Sequence, residues 1–123
     1  MTPSSPPGWS PASLALLELA SRANRGPRQD GLFALWLVVR VAESVRTGQG
    51  GTDRAHRRRI AALEERLSSL ALGAPLRRAL ASALPPLREA TAEGARLALR
   101  QLVAPARDLG GPDAGRALEL SGE

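Results

Sequence analysis

The side chain with the most catalytic potential in this sequence is its single histidine, His56. The chain contains no cysteine, lysine or tyrosine, so nucleophilic catalysis would need a serine or threonine activated by His56. No serine stands in the Gly-x-Ser-x-Gly turn that exposes a nucleophile after a strand. His56 is instead spaced in line with Ile60 and Leu63 of a predicted helix, which favours a half-exposed structural residue. We therefore expect a protein that is not an enzyme and has no catalytic residues.

The carboxylates occur in pairs, an arrangement that can hold a metal ion. Glu89 and Glu93 are four residues apart on one helical face, and Glu64 and Glu65 are adjacent. A carboxylate-bridged metal site in a helical bundle takes Glu-x-x-His motifs from two helices, and the sequence contains no such motif. Arg96 lies three residues after Glu93, which is typical of an exposed charge ladder. The sequence therefore predicts no metal, no cofactor and no small-molecule substrate.

The densest charged feature is the segment 54–59, which reads Arg-Ala-His-Arg-Arg-Arg. A helix start favours anions, so arginines retained there could serve an anionic ligand. The planar arginine side chain grips phosphate oxygens through paired hydrogen bonds, which suits a nucleic-acid backbone. Arg77 and Arg78 would extend this patch if the third and fourth helices form a corner. The predicted binding residues for a nucleic acid or an acidic protein are Arg54, Arg57, Arg58, Arg59, Arg77 and Arg78.

Other features argue against nucleic-acid binding, and a solvated helix face without a partner is the alternative. All 17 basic residues are arginine, a bias that the codons of a GC-rich genome also produce. The formal net charge of +5 is modest for a chain of this length. Aromatic side chains for base stacking are missing around the cluster. Glu64 and Glu65 continue the same helix, where they would repel a phosphate backbone.

An apolar face follows the arginines along the same predicted helix. Ile60, Leu63, Leu67 and Leu70 repeat at a and d positions over two heptads, which is too short for a free coiled coil. These side chains either face the core of this chain or supplement a larger interface with another subunit. Gly94 lies in a run of small residues in the fifth predicted helix, where a neighbouring helix can approach closely. We predict that these five residues make helix–helix contacts, within the chain or between subunits.

Helix start signals place the first two elements. Ser10 followed by Pro11 starts a first helix, which ends around residues 24–27. Asp30 caps a second helix over about residues 31–47. Its apolar residues lie on every face, which predicts a buried central helix and disfavours the alternative of a buried strand.

Proline and glycine bound the later elements. The predicted segments are a third helix over 52–72, a fourth over 75–84, a fifth over about 86–103, and one or two short turns within 106–121. The pair Pro85 and Pro86 is predicted to kink or restart the chain between the fourth and fifth helices. No segment alternates apolar and polar residues for long enough to make a sheet.

These patterns predict an all-α protein, a compact bundle of five or six short helices around the apolar second helix. We expect residues 9–121 to form one helical domain and residues 1–8, rich in proline and serine, to be a disordered tail. The tail lacks the charged and apolar regions of a signal peptide, and the longest apolar run is too short to cross a membrane. With no cysteine in the chain, we expect a cytoplasmic location.

The residue inventory favours one function and leaves one alternative. The favoured function is a non-catalytic helical interaction module, either homo-oligomeric or an accessory subunit of a larger assembly. This expectation follows from the missing catalytic residues and from more apolar helical surface than a small bundle needs for its own core. The alternative is a nucleic-acid-binding protein that uses the arginine cluster at the start of the third helix.

Overall fold

The computed structural model describes residues 10–23, 26–48 and 52–121. Within these ranges the chain forms seven helices and no strand. The helices are α1 (Pro11–Arg22), α2 (Pro27–Arg46), α3 (Asp53–Ser68), α4 (Ala74–Arg88), α5 (Ala92–Gln101), α6 (Val103–Gly110) and α7 (Pro112–Ser121). The predicted all-α bundle is confirmed. The helix count exceeds five or six because the predicted C-terminal turns are the complete helices α6 and α7.

The core is organised around α2, which confirms the predicted central apolar helix. α2 packs against α1, α3, α5, α6 and α7. Four of its apolar side chains, Leu32, Leu35, Val38 and Val39, are at most 1% exposed. Buried apolar side chains from all seven helices join them in a single cluster.

The start of α2 lies at Pro27, one turn before the predicted position. Proline is suited to the first turn of a helix, because its φ is already helical and its missing N–H would have no partner there. Asp30 therefore lies inside the helix and does not cap it. Its carboxylate accepts a hydrogen bond from the Ala71 N–H at 2.8 Å, which ties the start of α2 to the turn after α3.

A short turn joins α3 to α4. The Thr52 side chain caps α3, accepting a hydrogen bond from the Ala55 N–H at 3.1 Å. The helix ends at Ser68, not at the predicted Leu72. Arg77 stabilises this end, since its guanidinium donates to the Leu70 carbonyl at 3.3 Å and to the Leu72 carbonyl at 3.1 Å. These bonds satisfy carbonyls of the turn that lie beyond the regular pairing of α3.

α4 continues through Pro85 and Pro86 to Arg88, so the predicted kink or restart at the prolines is wrong. The two prolines lack the N–H groups that would bond the carbonyls of Ala81 and Ser82. Both of these residues are exposed, so water can bond their carbonyls. The helix therefore tolerates the proline pair in its last turns.

The break between α4 and α5 falls at Ala90. Its φ of 58° is in the left-handed region, which stops the helix. Thr91 then caps α5, because its Oγ1 accepts a hydrogen bond from the Gly94 N–H at 3.0 Å. The fifth helix consequently begins at Ala92 and not near residue 86.

Replacing Ala90 by glycine should raise the free energy of unfolding by about 1 kcal/mol, because an L-residue is disfavoured at a positive φ and glycine is not. Urea denaturation of the two proteins measures the difference. Ala61→Gly, at an exposed position inside α3, is the matched control and should lower stability by up to about 1 kcal/mol. A destabilising Ala90→Gly would contradict the left-handed conformation.

Parts of two predictions fall outside the described ranges. The predicted tail over residues 1–8 lies outside the described residues, as do residues 24 and 25 near the predicted end of the first helix. In the part of the chain that the structure describes, no helix combines the length and apolar character needed to cross a bilayer.

Candidate protein-interaction site

A groove of about 360 Å³ runs between α1 and α7. We call it the α1–α7 groove. Its apolar lining consists of Pro11, Ala12, Ala15, Leu19, Ala117 and Leu120. Its charged lining consists of Glu18, Arg22, Asp113 and Arg116. Both helices contribute residues over most of their length, so the groove follows the helix axes.

Small side chains make this groove. Ala12 and Ala117 are buried at its floor, where larger residues would fill the space between the helices. Ala15 and Leu19 are half-buried along one wall. Leu120 stands on the opposite helix with 48% of its surface exposed, one of two large apolar side chains that are exposed in the described residues. The result is an open apolar surface beside a leucine that the core does not cover.

A side-chain cap, a proline at the first helical position and one partly buried hydrogen bond fix α1 in place. The Ser10 side chain accepts a hydrogen bond from the Ser13 N–H at 3.0 Å, and Pro11 occupies the first helical position. On the buried face the Ser13 hydroxyl donates to Oε1 of Glu43 at 2.6 Å. Ser13 is fully buried, so this bond anchors α1 to the central helix α2.

The turn before α7 sets the direction of that helix. Gly111 has a φ of 79°, a conformation that favours glycine, and Pro112 follows it at the start of α7. Gly110 lies beside α1, since a Cβ placed on it would be 3.6 Å from Cδ1 of Leu19. The start of α7 is therefore next to the last turn of α1. The two helices line the groove antiparallel to each other.

The antiparallel arrangement divides the groove into two ends. At one end lie Glu18 and Arg22, from the second half of α1, with Asp113 and Arg116, from the first half of α7. Glu18 and Arg22 form an exposed ion pair one helical turn apart. At the other end lie Pro11, Ala12 and Leu120, with no charged side chain among the lining residues of that end. The groove thus has a charged end with balanced charges and an apolar end.

The second candidate surface is the outer face of α3. Arg54, Arg57, Arg58 and Arg59 are all exposed there. The opposite face of the helix holds the buried residues His56, Ile60, Leu63 and Leu67. The predicted arginine cluster is therefore accessible along one side of α3, and Glu65 is exposed on the same helix.

Arg77 and Arg78 do not extend this cluster. His56 near the start of α3 contacts Leu87 near the end of α4, and Arg77 near the start of α4 contacts the turn after α3. The two helices are therefore an antiparallel hairpin and not a corner. At a rise of 1.5 Å per residue, the start of α4 is about 20 Å from Arg57. The prediction of one continuous patch is wrong, and Arg77 instead stabilises the end of α3.

His56 is buried, with 3% of its surface exposed, so the predicted half-exposed position is wrong. Its Nε2 lies 2.8 Å from the Leu87 carbonyl oxygen. A carbonyl only accepts, so Nε2 must carry the proton and donate. The Nδ1 atom is buried without a hydrogen-bond partner in the described part of the molecule. His56 thus joins α3 to α4, a role that the 3.6-residue spacing could not reveal because it depends on α4.

The predicted helix–helix contacts lie inside this chain. Ile60, Leu63 and Leu67 are at most 6% exposed, and Leu70 packs partly buried against the core. Gly94 approaches α4 so closely that a Cβ placed on it would be 2.2 Å from the carbonyl oxygen of Pro86. These five residues therefore pack against helices of the same chain. The α1–α7 groove is a different surface.

The sequence does not predict the groove, because its lining residues are far apart in the chain. The pattern on α1 reads as an ordinary amphipathic helix, and α7 was predicted only as short turns. The usable signal was Leu120, an apolar residue next to Glu119 near the end of the last helix. Recognising the groove requires the pairing of α1 with α7, which no local pattern encodes.

Comparisons with protein-family models, with curated proteins and with solved structures find no match to this chain. Among the described residues, no group of three or more histidine, cysteine, aspartate or glutamate side chains is placed to hold a metal ion.

Proposed function

We propose that this chain is a non-catalytic interaction module that binds a protein partner in the α1–α7 groove. The observation that carries the proposal is the exposed Leu120 beside a floor of buried alanines, Ala12 and Ala117. Interfaces are built from an apolar centre with a polar rim, and this groove combines an apolar end with a charged end. An open groove between two helices suits a partner that presents helices of its own.

The energetics favour occupation of the groove. Complete burial of an exposed leucine contributes about 1.5–3 kcal/mol, and Leu120 is about half exposed before binding. The alanine floor lets a partner side chain approach the helix backbones closely. Balanced charges at the other end add selectivity for a partner whose charges are complementary.

The residue inventory supports a non-catalytic role. The sequence supplies one histidine and no cysteine, lysine or tyrosine. His56 is buried and its Nε2 is engaged with the Leu87 carbonyl, so this atom has no free position from which to take a proton from a substrate. The lining of the α1–α7 groove contains no serine, threonine, cysteine or histidine.

One leucine substitution inside the groove and a matched control outside it test the proposal. Leu120→Glu places a charge in the groove, whereas Leu97→Glu makes the same change on α5, at a leucine that is 42% exposed and outside the groove. With the full chain as bait, we expect Leu120→Glu to lose partners that the original chain and Leu97→Glu retain, including differently tagged copies of itself. Circular dichroism should show equal helix content in all three. Identical capture by the two variants would overturn the proposal.

The second candidate function is nucleic-acid binding, which we propose as the alternative because the arginines of α3 are exposed along one face. Arginines that neutralise phosphates release counterions, so the affinity should fall steeply as the salt concentration rises. Replacing Arg57, Arg58 and Arg59 by alanine should abolish that affinity. The measurement is fluorescence anisotropy with mixed-sequence DNA and RNA at low and near-physiological salt. No binding at low salt, or binding that the triple variant retains, would exclude this function.

A further inference from the structure

The four charges at one end of the α1–α7 groove are arranged in a self-complementary order. On α1, Glu18 is followed one turn later by Arg22, and on α7, Asp113 is followed one turn later by Arg116. Because the helices are antiparallel, the order of the charges from this end of the groove is Arg22 then Glu18 on α1, and Asp113 then Arg116 on α7. The charges therefore run base then acid on α1 and acid then base on α7, in opposite order along the two helices.

We propose that the occupant of the α1–α7 groove is a second copy of this chain, related by a two-fold axis that runs along the groove. This inference rests on the proposed function, since it names the partner of the same site. Such an axis lays α1 of one protomer antiparallel against α7 of its partner. Glu18 then faces Arg116 of the partner subunit, and Arg22 faces Asp113 of the partner subunit, with each contact made twice.

The position of the charges selects this axis over the other two-fold arrangement. An axis across the groove would lay the charged end of one protomer on the apolar end of the other. Glu18, Arg22, Asp113 and Arg116 would then lose water without gaining partners, which is unfavourable. An axis along the groove instead superposes charged end on charged end and apolar end on apolar end.

The apolar end completes the contact. The same axis carries Leu120 over α1 of the partner, toward the small residues Ala12 and Ala15. Small residues let helices approach closely, so α1 and α7 of both protomers can form a four-helix contact. The side chains of Glu18 and Arg22 are 58% and 74% exposed, so both can turn from their mutual pair to the partner.

Sedimentation equilibrium of the full chain over a wide concentration range tests the inference. We expect a monomer–dimer equilibrium, and we expect Arg116→Glu to raise the dissociation constant at least about tenfold, because it sets two glutamates against each other. Combining Arg116→Glu with Glu18→Arg exchanges the two charges and should recover most of the lost affinity. Arg96→Glu makes the same charge change at an exposed position on α5, outside the groove, and should leave the equilibrium unchanged.

Three results would overturn the inference. A monomer at every concentration would exclude a second copy as the occupant. The remaining candidate occupants of the groove would then be a different protein or residues 1–9 of the chain itself. A dimer that Arg116→Glu weakens no more than Arg96→Glu does would place the contact elsewhere. A double variant as weak as Arg116→Glu alone would exclude the proposed axis. The first result leaves the proposed function standing, since the comparison of Leu120→Glu with Leu97→Glu tests it separately.

Discussion

Replacing His56 by alanine should lower the free energy of unfolding by about 2–4 kcal/mol. Two losses add up to this value. The Leu87 carbonyl loses the donor that lies 2.8 Å away, and a buried ring with 3% exposure leaves a cavity between α3 and α4. Because α3 is held to α4 at this end by His56, we expect the start of α3 to be the first segment to open. Urea denaturation followed by circular dichroism measures the change.

Two variants separate these contributions. Arg57→Ala removes an exposed neighbour on the same helix and should change stability by less than about 0.5 kcal/mol. His56→Gln keeps an N–H of similar reach, so it should retain part of the hydrogen bond and lie between the original chain and His56→Ala. If His56→Ala is no more destabilising than Arg57→Ala, the buried contact with Leu87 does not exist.

Gly94→Ala should also be destabilising, by about 1–3 kcal/mol, although alanine is the better helix former. The added Cβ would lie 2.2 Å from the carbonyl oxygen of Pro86 and 3.2 Å from its carbon. Both atoms belong to the backbone of α4, so no side-chain rotation can relieve the clash. α5 must move away from α4, which loosens the packing of Ala95 and Leu99 behind it.

Gly73→Ala is the matched control for this substitution. A Cβ at Gly73 would meet only Cδ of Pro75, at an ordinary distance of 3.8 Å, and its φ of −69° suits any residue. We expect a change smaller than about 1 kcal/mol there, reflecting the modest preference for glycine over alanine at a helix cap. Thermal denaturation of both variants makes the comparison. Equal stability of Gly94→Ala and Gly73→Ala would contradict the close approach of α5 to α4.

The elements that the sequence predicted well depend on local chemistry. Ser10 with Pro11 and Thr52 are capping signals, and each marks a helix start in the structure. Apolar residues lie on every face of α2, so the sequence alone predicted that this helix is buried. Such signals act within a few residues, so they can be read from the sequence without knowing the rest of the fold.

The elements that were predicted poorly depend on contacts between distant segments. Pro85 and Pro86 normally end a helix, but here the carbonyls that they leave without partners belong to exposed residues. The true break at Ala90 carries no glycine to mark it. His56 has the spacing of a boundary residue, and only the position of α4 makes it buried.

The candidate sites also differ in whether they depend on neighbouring residues or on contacts between distant segments. The arginine cluster on α3 was found because its four members are neighbours in sequence and exposed in the structure. The predicted extension to Arg77 and Arg78 required α3 and α4 to form a corner. The two helices form an antiparallel hairpin instead, so that prediction was wrong. The α1–α7 groove joins residues about one hundred positions apart, so Leu120 alone could not reveal it without the pairing of α1 with α7.

Hydrogen–deuterium exchange of the full chain, at protein concentrations below and above the midpoint of self-association, tests most directly whether this chain associates through the α1–α7 groove. We expect association to slow exchange in α1 and α7, which line the groove, and to leave exchange in α3 unchanged. The exchange of the Arg116→Glu variant should not depend on concentration over the same range. Slower exchange confined to α3, or no dependence of exchange on concentration in the original chain, would contradict association through the α1–α7 groove.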